Sequence, residues 1–326
     1  MIQSIPIIGH ARKREQLRRD LEQKSLAHAY LFAGKKHLGK FTIARWFAEE
    51  VLSIGVEEGE KERIVTLVRK NAHPDLLTLD QLWIEDLCTD WNVIAKSSSA
   101  PQQHRAKAKV KTDVIGIDDI RALQERLYQT PQGSRSICLI RSIERLHITA
   151  ANALLKILEE PPPNVLFCFT TELLSAIPET VVSRMRLLHF SGVLREELEP
   201  LLSDSSPEDR ELILGIAGGA PGIIFRCLKD TEYFRTERQA YLDARRFLET
   251  RSDVERFRIM SEVFEDPAAS SLLFRHLVLH LQGELRKESQ HAEEAVERAK
   301  KLFSILRTLE TNTHRGLLAA NIALSS

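Results

Sequence analysis

The sequence predicts an α/β fold: a parallel sheet with flanking helices, followed by regions that are helical throughout. Three observations carry this. Short, continuously apolar segments recur in the first half, at Ala29–Ala33, Ile137–Ile140 and Val165–Phe169. Segments of helical period lie between them, and strands apolar on both faces belong in a sheet covered on both sides. After about residue 190 the strand signals fade and helical patterns take over.

Taken in order, Ala29–Ala33 ends at Gly34, and Phe41–Leu52 reads as an amphipathic helix beyond a glycine-bounded loop. Asp75–Leu79 is a short strand candidate. Ile117–Tyr128 places apolar residues at 117, 120, 123 and 127, which is helical spacing. Ile137–Ile140 is the next strand. Thr149 is placed to cap a helix over Ala150–Glu160, which Pro161, Pro162 and Pro163 end. Val165–Phe169 follows as a strand. Glu196–Leu202, Pro207–Ala217 and Gly222–Leu228 read as short helices, the last two separated by a Gly-Gly-Ala-Pro-Gly break at 218–222. From about Thr236 long helical patterns dominate. The apolar stripe at 295, 296, 299, 302, 303, 306 and 309 faces either a core or a partner subunit. Residues 84–112 fit neither pattern. With Ser97–Ser99, Pro101 and the basic residues Lys96, Arg105, Lys107, Lys109 and Lys111, they read as a solvated, mobile insertion or a DNA-facing loop.

The 326 residues suggest two or three domains. A hydrophobic fraction of 43% with 28% charged residues places the chain among soluble globular proteins. Basic and acidic side chains balance at 46 each, which argues against a nucleic-acid-binding field over the whole molecule and leaves a local patch open. No apolar run approaches the ~18 residues of a membrane span. The opening Met-Ile-Gln-Ser-Ile-Pro is unlike a signal peptide, so a cytoplasmic location and no membrane association are expected. The four cysteines, Cys88, Cys138, Cys168 and Cys227, are too far apart for a metal or disulfide framework and read as buried thiols.

The segment Gly34-Lys-Lys-His-Leu-Gly39-Lys40-Phe41 lies between a strand and a helix, the context a phosphate loop requires. Glycines let backbone N–H groups wrap a phosphate, the lysine reaches its terminal oxygens, and the next residue's hydroxyl holds magnesium. Phe41 stands where that hydroxyl belongs. Thr42 is one residue late, about 100° around a helix. The second metal contact is ordinarily an acid at the end of a later strand. Here Ile137–Ile140 leads into Arg141, a guanidinium that repels the metal, and Glu144 lies three residues on. Gly34, Gly39 and Lys40 are thus a degenerate nucleotide site. Lys40 is left to bind a stray anion, pair with a carboxylate, or hold nucleotide without hydrolysis.

At Ala150-Ala-Asn-Ala-Leu-Leu-Lys-Ile-Leu-Glu-Glu-Pro-Pro-Pro163 the sequence resembles the A-N-A-L-L-K-x-L-E-E-P-P motif of bacterial clamp-loader AAA+ subunits. The opening Ile8-Gly9-His10 with His28-Ala29-Tyr30-Leu31-Phe32-Ala33-Gly34, the His73-Pro74-Asp75 segment, Ile117-Asp118-Asp119-Ile120-Arg121 and Ser183-Arg184-Met185 are similar to further motifs of that family. The resemblance covers about residues 1–225. The missing hydroxyl, Arg141, and Ile223 where active members usually place a nucleotide-sensing arginine favour the delta-prime type within DNA polymerase III. Residues 54–72 lack the four cysteines that often bind zinc there, so no zinc is expected and no other cofactor is implied.

The resemblance implies a RecA-like AAA+ P-loop domain over 1–190, a small helical lid over 191–235 and an all-α collar over 236–326. It implies gamma/tau and delta subunits as partners, with a sliding clamp and primed DNA reached through the complex. It also implies membership of a DNA polymerase holoenzyme, with ATP held by a neighbour rather than by this chain. Arg184 is then an arginine finger acting in trans on the neighbour's ATP, against the alternative of a salt bridge at a helix end. Arg186 is a lesser candidate or a surface charge. Glu159 and Glu160 are catalytic acids by type, but their place before three prolines favours interface or capping roles. The competing functions are an active gamma/tau-like motor and a clamp-loader-derived protein-binding module.

Overall fold

The computed structural model describes residues 6–79, 114–128, 130–250, 252–264 and 272–280. The 84–112 insertion, Cys88 and the 295–309 stripe lie outside the described residues. The chain divides into two compact units: Met1–Glu197 with Gly219–Pro221, and Leu198–Gly218 with Gly222–Ser326.

The first unit is built on five parallel strands: β1 (Ala29–Ala33), β2 (Leu76–Leu79), β3 (Ser136–Ile140), β4 (Val165–Thr171) and β5 (Arg186–His189). Their order across the sheet is β2-β3-β4-β1-β5. Every residue of β1, β3 and β4 is buried, which is why these strands read as unbroken apolar runs rather than alternating ones. Leu31 of β1 sits opposite Phe169 of β4 on one side and Leu187 of β5 on the other. The edge strand β5 escapes sequence reading because its apolar pair, Leu187 and Leu188, is flanked by Arg186 and His189.

Helices cover both faces. On one, Ile120, Leu123 and Leu127 of α4 (Ile117–Leu127) and Ala150, Leu154, Ile157 and Leu158 of α5 (Ile148–Glu159) join Leu31, Leu77, Cys138, Ile140, Phe167 and Phe169 in a single core. Burying each such Leu, Ile or Phe side chain contributes about 1.5–3 kcal/mol. On the other face α2 (Lys40–Leu52) lies against β1, β3 and β4, with Phe47 edge-on to Tyr30 at 5.2 Å between ring centroids. Two further helices, α1 (Ala11–Glu22) and α3 (Glu58–Arg69), pack against α2.

The ends of α5 differ from the sequence reading in one respect. The cap is His147, whose Nδ1 accepts from the Thr149 backbone N–H, so the helix starts two residues before Ala150. It closes as expected: Glu160 precedes Pro161, which disfavours α geometry, and takes φ −125°, ψ 71°. A single-turn α6 (Glu179–Val182) then begins after Pro178 and delivers the chain to β5.

The described part of the second unit is helical. Arg195–Leu198 forms α7, a short turn that ends at the start of this unit, and a 3-10 turn over Glu199–Leu202 follows. Ser206 caps α8 (Pro207–Ala217) by accepting from the Asp209 N–H, Pro207 occupies its first position, and Gly218 ends it at φ 52°. After α9 (Pro221–Lys229), Asp230 caps the nineteen-residue α10 (Thr231–Glu249) by accepting from the Tyr233 N–H at 2.9 Å. Helices α11 (Asp253–Phe264) and 272–280 complete it. Glu237 of α10 is almost fully buried there and is bonded by Arg275 and by His276 Nε2, the latter at 2.8 Å.

Candidate functional site

The loop between β1 and α2 has the backbone of a phosphate cradle. Its first glycine, Gly34, donates its N–H to the Thr171 carbonyl at the end of β4. A Cβ there would come within 2.5 Å of the Phe190 carbonyl oxygen, so no other residue fits without moving backbone. Gly39, at φ 85°, turns the chain into α2 with no side-chain cap, leaving the first N–H groups of the helix to face the loop. His10 braces the far side by donating from Nε2 to the Leu38 carbonyl at 2.9 Å, its ring edge-on to Phe190.

Lys40 is turned inward. Its Nζ donates to the carbonyls of Gly34 and Lys35, both at 2.6 Å, and the residue is only 7% exposed. Burial holds its pKa below the ordinary lysine value. Arg141 and Lys36 push the same way, while the carboxylates of Glu172 and Glu144 oppose them. Of the roles open to this lysine, the structure shows only its hydrogen bonds to the loop carbonyls among the described residues.

The two residues at the positions where a phosphate loop keeps its metal ligands lie against each other. The Arg141 guanidinium lies 5.0 Å from the centroid of the Phe41 ring, and Arg45 lies over the same ring at 4.9 Å. β3 and β1 are not neighbours in the sheet, and β4 lies between them. The contact is therefore made above the strand ends. Past Arg141, Ser142 takes φ 56° and a 3-10 turn over Ile143–Arg145 folds the chain back. Glu144 Oε1 thereby accepts the Glu172 N–H at 3.2 Å, bringing its charge to bear on Lys40. Its Oε2 is buried without a hydrogen-bond partner among the described residues. Neither Phe41 nor Arg141 supplies a side-chain oxygen ligand for magnesium here. Position 41 offers a ring, position 141 a positive charge, and Lys40 is already bonded to the loop. Among the described residues no cluster of three or more His, Cys, Asp or Glu is placed to hold a metal ion.

Arg184 lies elsewhere, past the end of α6. Its Nη1 donates to the Thr180 carbonyl at 2.7 Å and, more weakly, to Ser183 Oγ at 3.5 Å. Its Nη2 donates to Glu159 Oε1 at 2.7 Å. The side chains of Arg184 and Glu159 remain 35% and 44% exposed. The structure thus joins two residues that the sequence presented in separate motifs. Arg186 is not a bare surface charge: its Nη1 pairs at 2.8 Å with the buried Asp20, which also accepts from the Tyr30 hydroxyl.

Other residues of the family-like motifs have structural work. Asp75 of the His-Pro-Asp segment is buried and accepts the N–H groups of Gln132 and Gly133, both at 2.8 Å. Its own N–H donates to His73 Nδ1. Asp119 accepts the Gly116 N–H at the start of α4. Cys138, Cys168 and Cys227 are buried free thiols whose pKa is pushed up by burial, that of Cys227 to about 11.

The family model described as DNA polymerase III, delta subunit, matches residues 9–193. DNA polymerase III subunit gamma of Buchnera aphidicola subsp. Schizaphis graminum is 33% identical over 172 residues, 52% of this chain and 39% of that protein. DNA polymerase III subunit delta' of Bacillus subtilis is 28% identical over 200 residues, 59% of this chain and 51% of that protein. The chain thus spans about half or less of the length of these relatives. In structure it is similar to a DNA polymerase III gamma subunit-related protein of Thermotoga maritima. That likeness has a TM-score of 0.50 at 18% identity, covering 96% of this chain and 97% of the other, and it bears on the fold alone.

Proposed function

This chain belongs to the DNA polymerase III delta subunit family, and from that premise we propose that it is a delta-prime-type stator of a clamp loader. It hydrolyses no ATP itself and completes the ATP site of a neighbouring gamma/tau subunit with Arg184. The observation that carries this reading is the Arg141–Phe41 contact, which sets a ring and a positive charge where a working loop would need oxygen ligands for magnesium. A half-exposed arginine in the family's Ser-Arg context, lying outside that loop, supports the second part.

In this reading residues 1–190 are the AAA+ domain, 191–235 the lid and 236–326 the collar. Arg184 approaches the γ-phosphate of ATP held next door and stabilises the charge that develops in transfer. Arginine suits the task because its planar guanidinium stays charged and presents several donors in fixed geometry. The partners are gamma/tau and delta subunits, with the sliding clamp and primed DNA engaged through the assembly in the cytoplasm. No zinc is required. The described residues contain no helix long and apolar enough to cross a membrane.

The test is reconstitution with the gamma/tau and delta subunits of the same organism. The proposal expects a stable complex whose ATPase responds to clamp and primed DNA, and no turnover by this chain alone. The 33% identity with a gamma subunit favours a second reading, an active motor. Magnesium-dependent turnover by the isolated chain would establish that motor and remove the stator.

A further inference from the structure

The contact between Glu159 and Arg184 spans the end of α5 and the turn after α6. Glu159 is poorly placed for the helix that carries it. A carboxylate at a helix C-terminus faces the negative end of the macrodipole, so local stability does not explain it. The backbone that carries it is nonetheless anchored. Leu154, Ile157 and Leu158 bury the other side of α5 in the core, and the proline run holds its end.

Arg184 is held at both terminal nitrogens, by the Thr180 carbonyl and Ser183 Oγ at one and by Glu159 at the other. A guanidinium has five N–H groups. Nε–H and one Nη2–H of Arg184 meet no acceptor among the described residues. The arginine is thus oriented by the protein with donors left over for an anion.

We propose that Glu159 is a positioning residue for Arg184, fixing its guanidinium before the neighbour's nucleotide arrives. This rests on the reading of Arg184 as a trans-acting finger. A long, flexible side chain would otherwise lose its rotamer freedom during the reaction. Holding it beforehand removes that cost from the catalytic step. A second effect opposes this one, because a carboxylate beside the guanidinium offsets part of the charge offered to phosphate. Positioning is the larger of the two, so loss of the Glu159 contact slows turnover.

The two effects separate by substitution. Glu159→Gln keeps an acceptor oxygen at the same reach and removes the charge. Glu159→Asp keeps the charge and withdraws the acceptor by one methylene. In the complex reconstituted with gamma/tau and delta subunits, kcat and KM for ATP would be measured with clamp and primed DNA present. Glu159→Asp and Glu159→Ala should lower kcat about 3- to 10-fold with KM changed less than about 2-fold, and Glu159→Gln should restore most of the loss. Adding either substitution to Arg184→Ala should cause no further loss. Melting temperature and complex stoichiometry should not move for the Asp and Gln variants. An unaltered kcat in Glu159→Asp, alongside a large loss in Arg184→Ala, overturns the positioning role and leaves the finger standing. So does a rise in kcat for Glu159→Gln or Glu159→Ala, which would make the carboxylate an inhibitor. No effect of Arg184→Ala removes the underlying reading instead.

Discussion

Arg141 lays its guanidinium 5.0 Å from the centroid of the Phe41 ring, so the two residues that stand in for the metal ligands of a phosphate loop touch each other. A cation over an aromatic face is worth roughly 0.5–1 kcal/mol when partly exposed. A double-mutant cycle with Phe41→Ala and Arg141→Ala, read from denaturant midpoints, should return a coupling energy of about that size. Strict additivity would mean that the two replacements are neighbours without being partners.

Lys40, bonded to the Gly34 and Lys35 carbonyls, has no part in the proposed reaction. Lys40→Ala should leave the stimulated ATPase of the reconstituted complex within about 2-fold of wild type. A loss comparable to that of an active P-loop lysine, seen in the steady-state rate, would mean that this loop turns over nucleotide after all.

Asp75 joins the start of β2 to the loop before β3 through two backbone N–H groups. Asp75→Ala leaves Gln132 N–H and Gly133 N–H without this acceptor, each costing about 1–3 kcal/mol if it finds no other. Chemical denaturation should register a loss of roughly 2–4 kcal/mol. A change below about 0.5 kcal/mol would mean that the two N–H groups find other acceptors at little cost.

These contacts mark the limit of what the sequence discloses. Strands β1, β3 and β4 are legible because burial on both faces leaves unbroken apolar runs, and the Gly34–Lys40 loop because its spacing is set by phosphate geometry. β5 is hidden by Arg186, whose charge is neutralised by Asp20 from a distant helix. The His147 cap is hidden because histidine is an uncommon cap residue. The Arg141–Phe41 and Glu159–Arg184 contacts join segments brought together only by the strand order, and no periodicity records them. Of the site, the sequence therefore names Arg184 and the degenerate loop, and the fold adds what each of them touches.

Glu237 carries a pH dependence. Burial alone would raise its pKa, but hydrogen bonds from His276, Arg275 and Tyr233 prevail and take it from 4.5 down to about 2. A carboxyl lowered on folding contributes stability that is fully present above about pH 4.5 and is lost as the pH falls toward 2. The contribution is about 3 kcal/mol at neutral pH. Wild type should therefore lose stability between about pH 5 and 2.5, and Glu237→Gln should be less stable at pH 7 with a flatter profile across that window. Parallel profiles in an acid titration of melting temperature would contradict the assignment.

The most direct measurement is the clamp- and DNA-stimulated ATPase of the reconstituted complex with Arg184→Ala in this chain alone. With assembly intact by size-exclusion chromatography, the rate should fall at least about tenfold, since arginine fingers are worth roughly 10³–10⁵ in GTPases. An unchanged rate in an intact complex would contradict the account, leaving a subunit that shapes the assembly and takes no part in its chemistry.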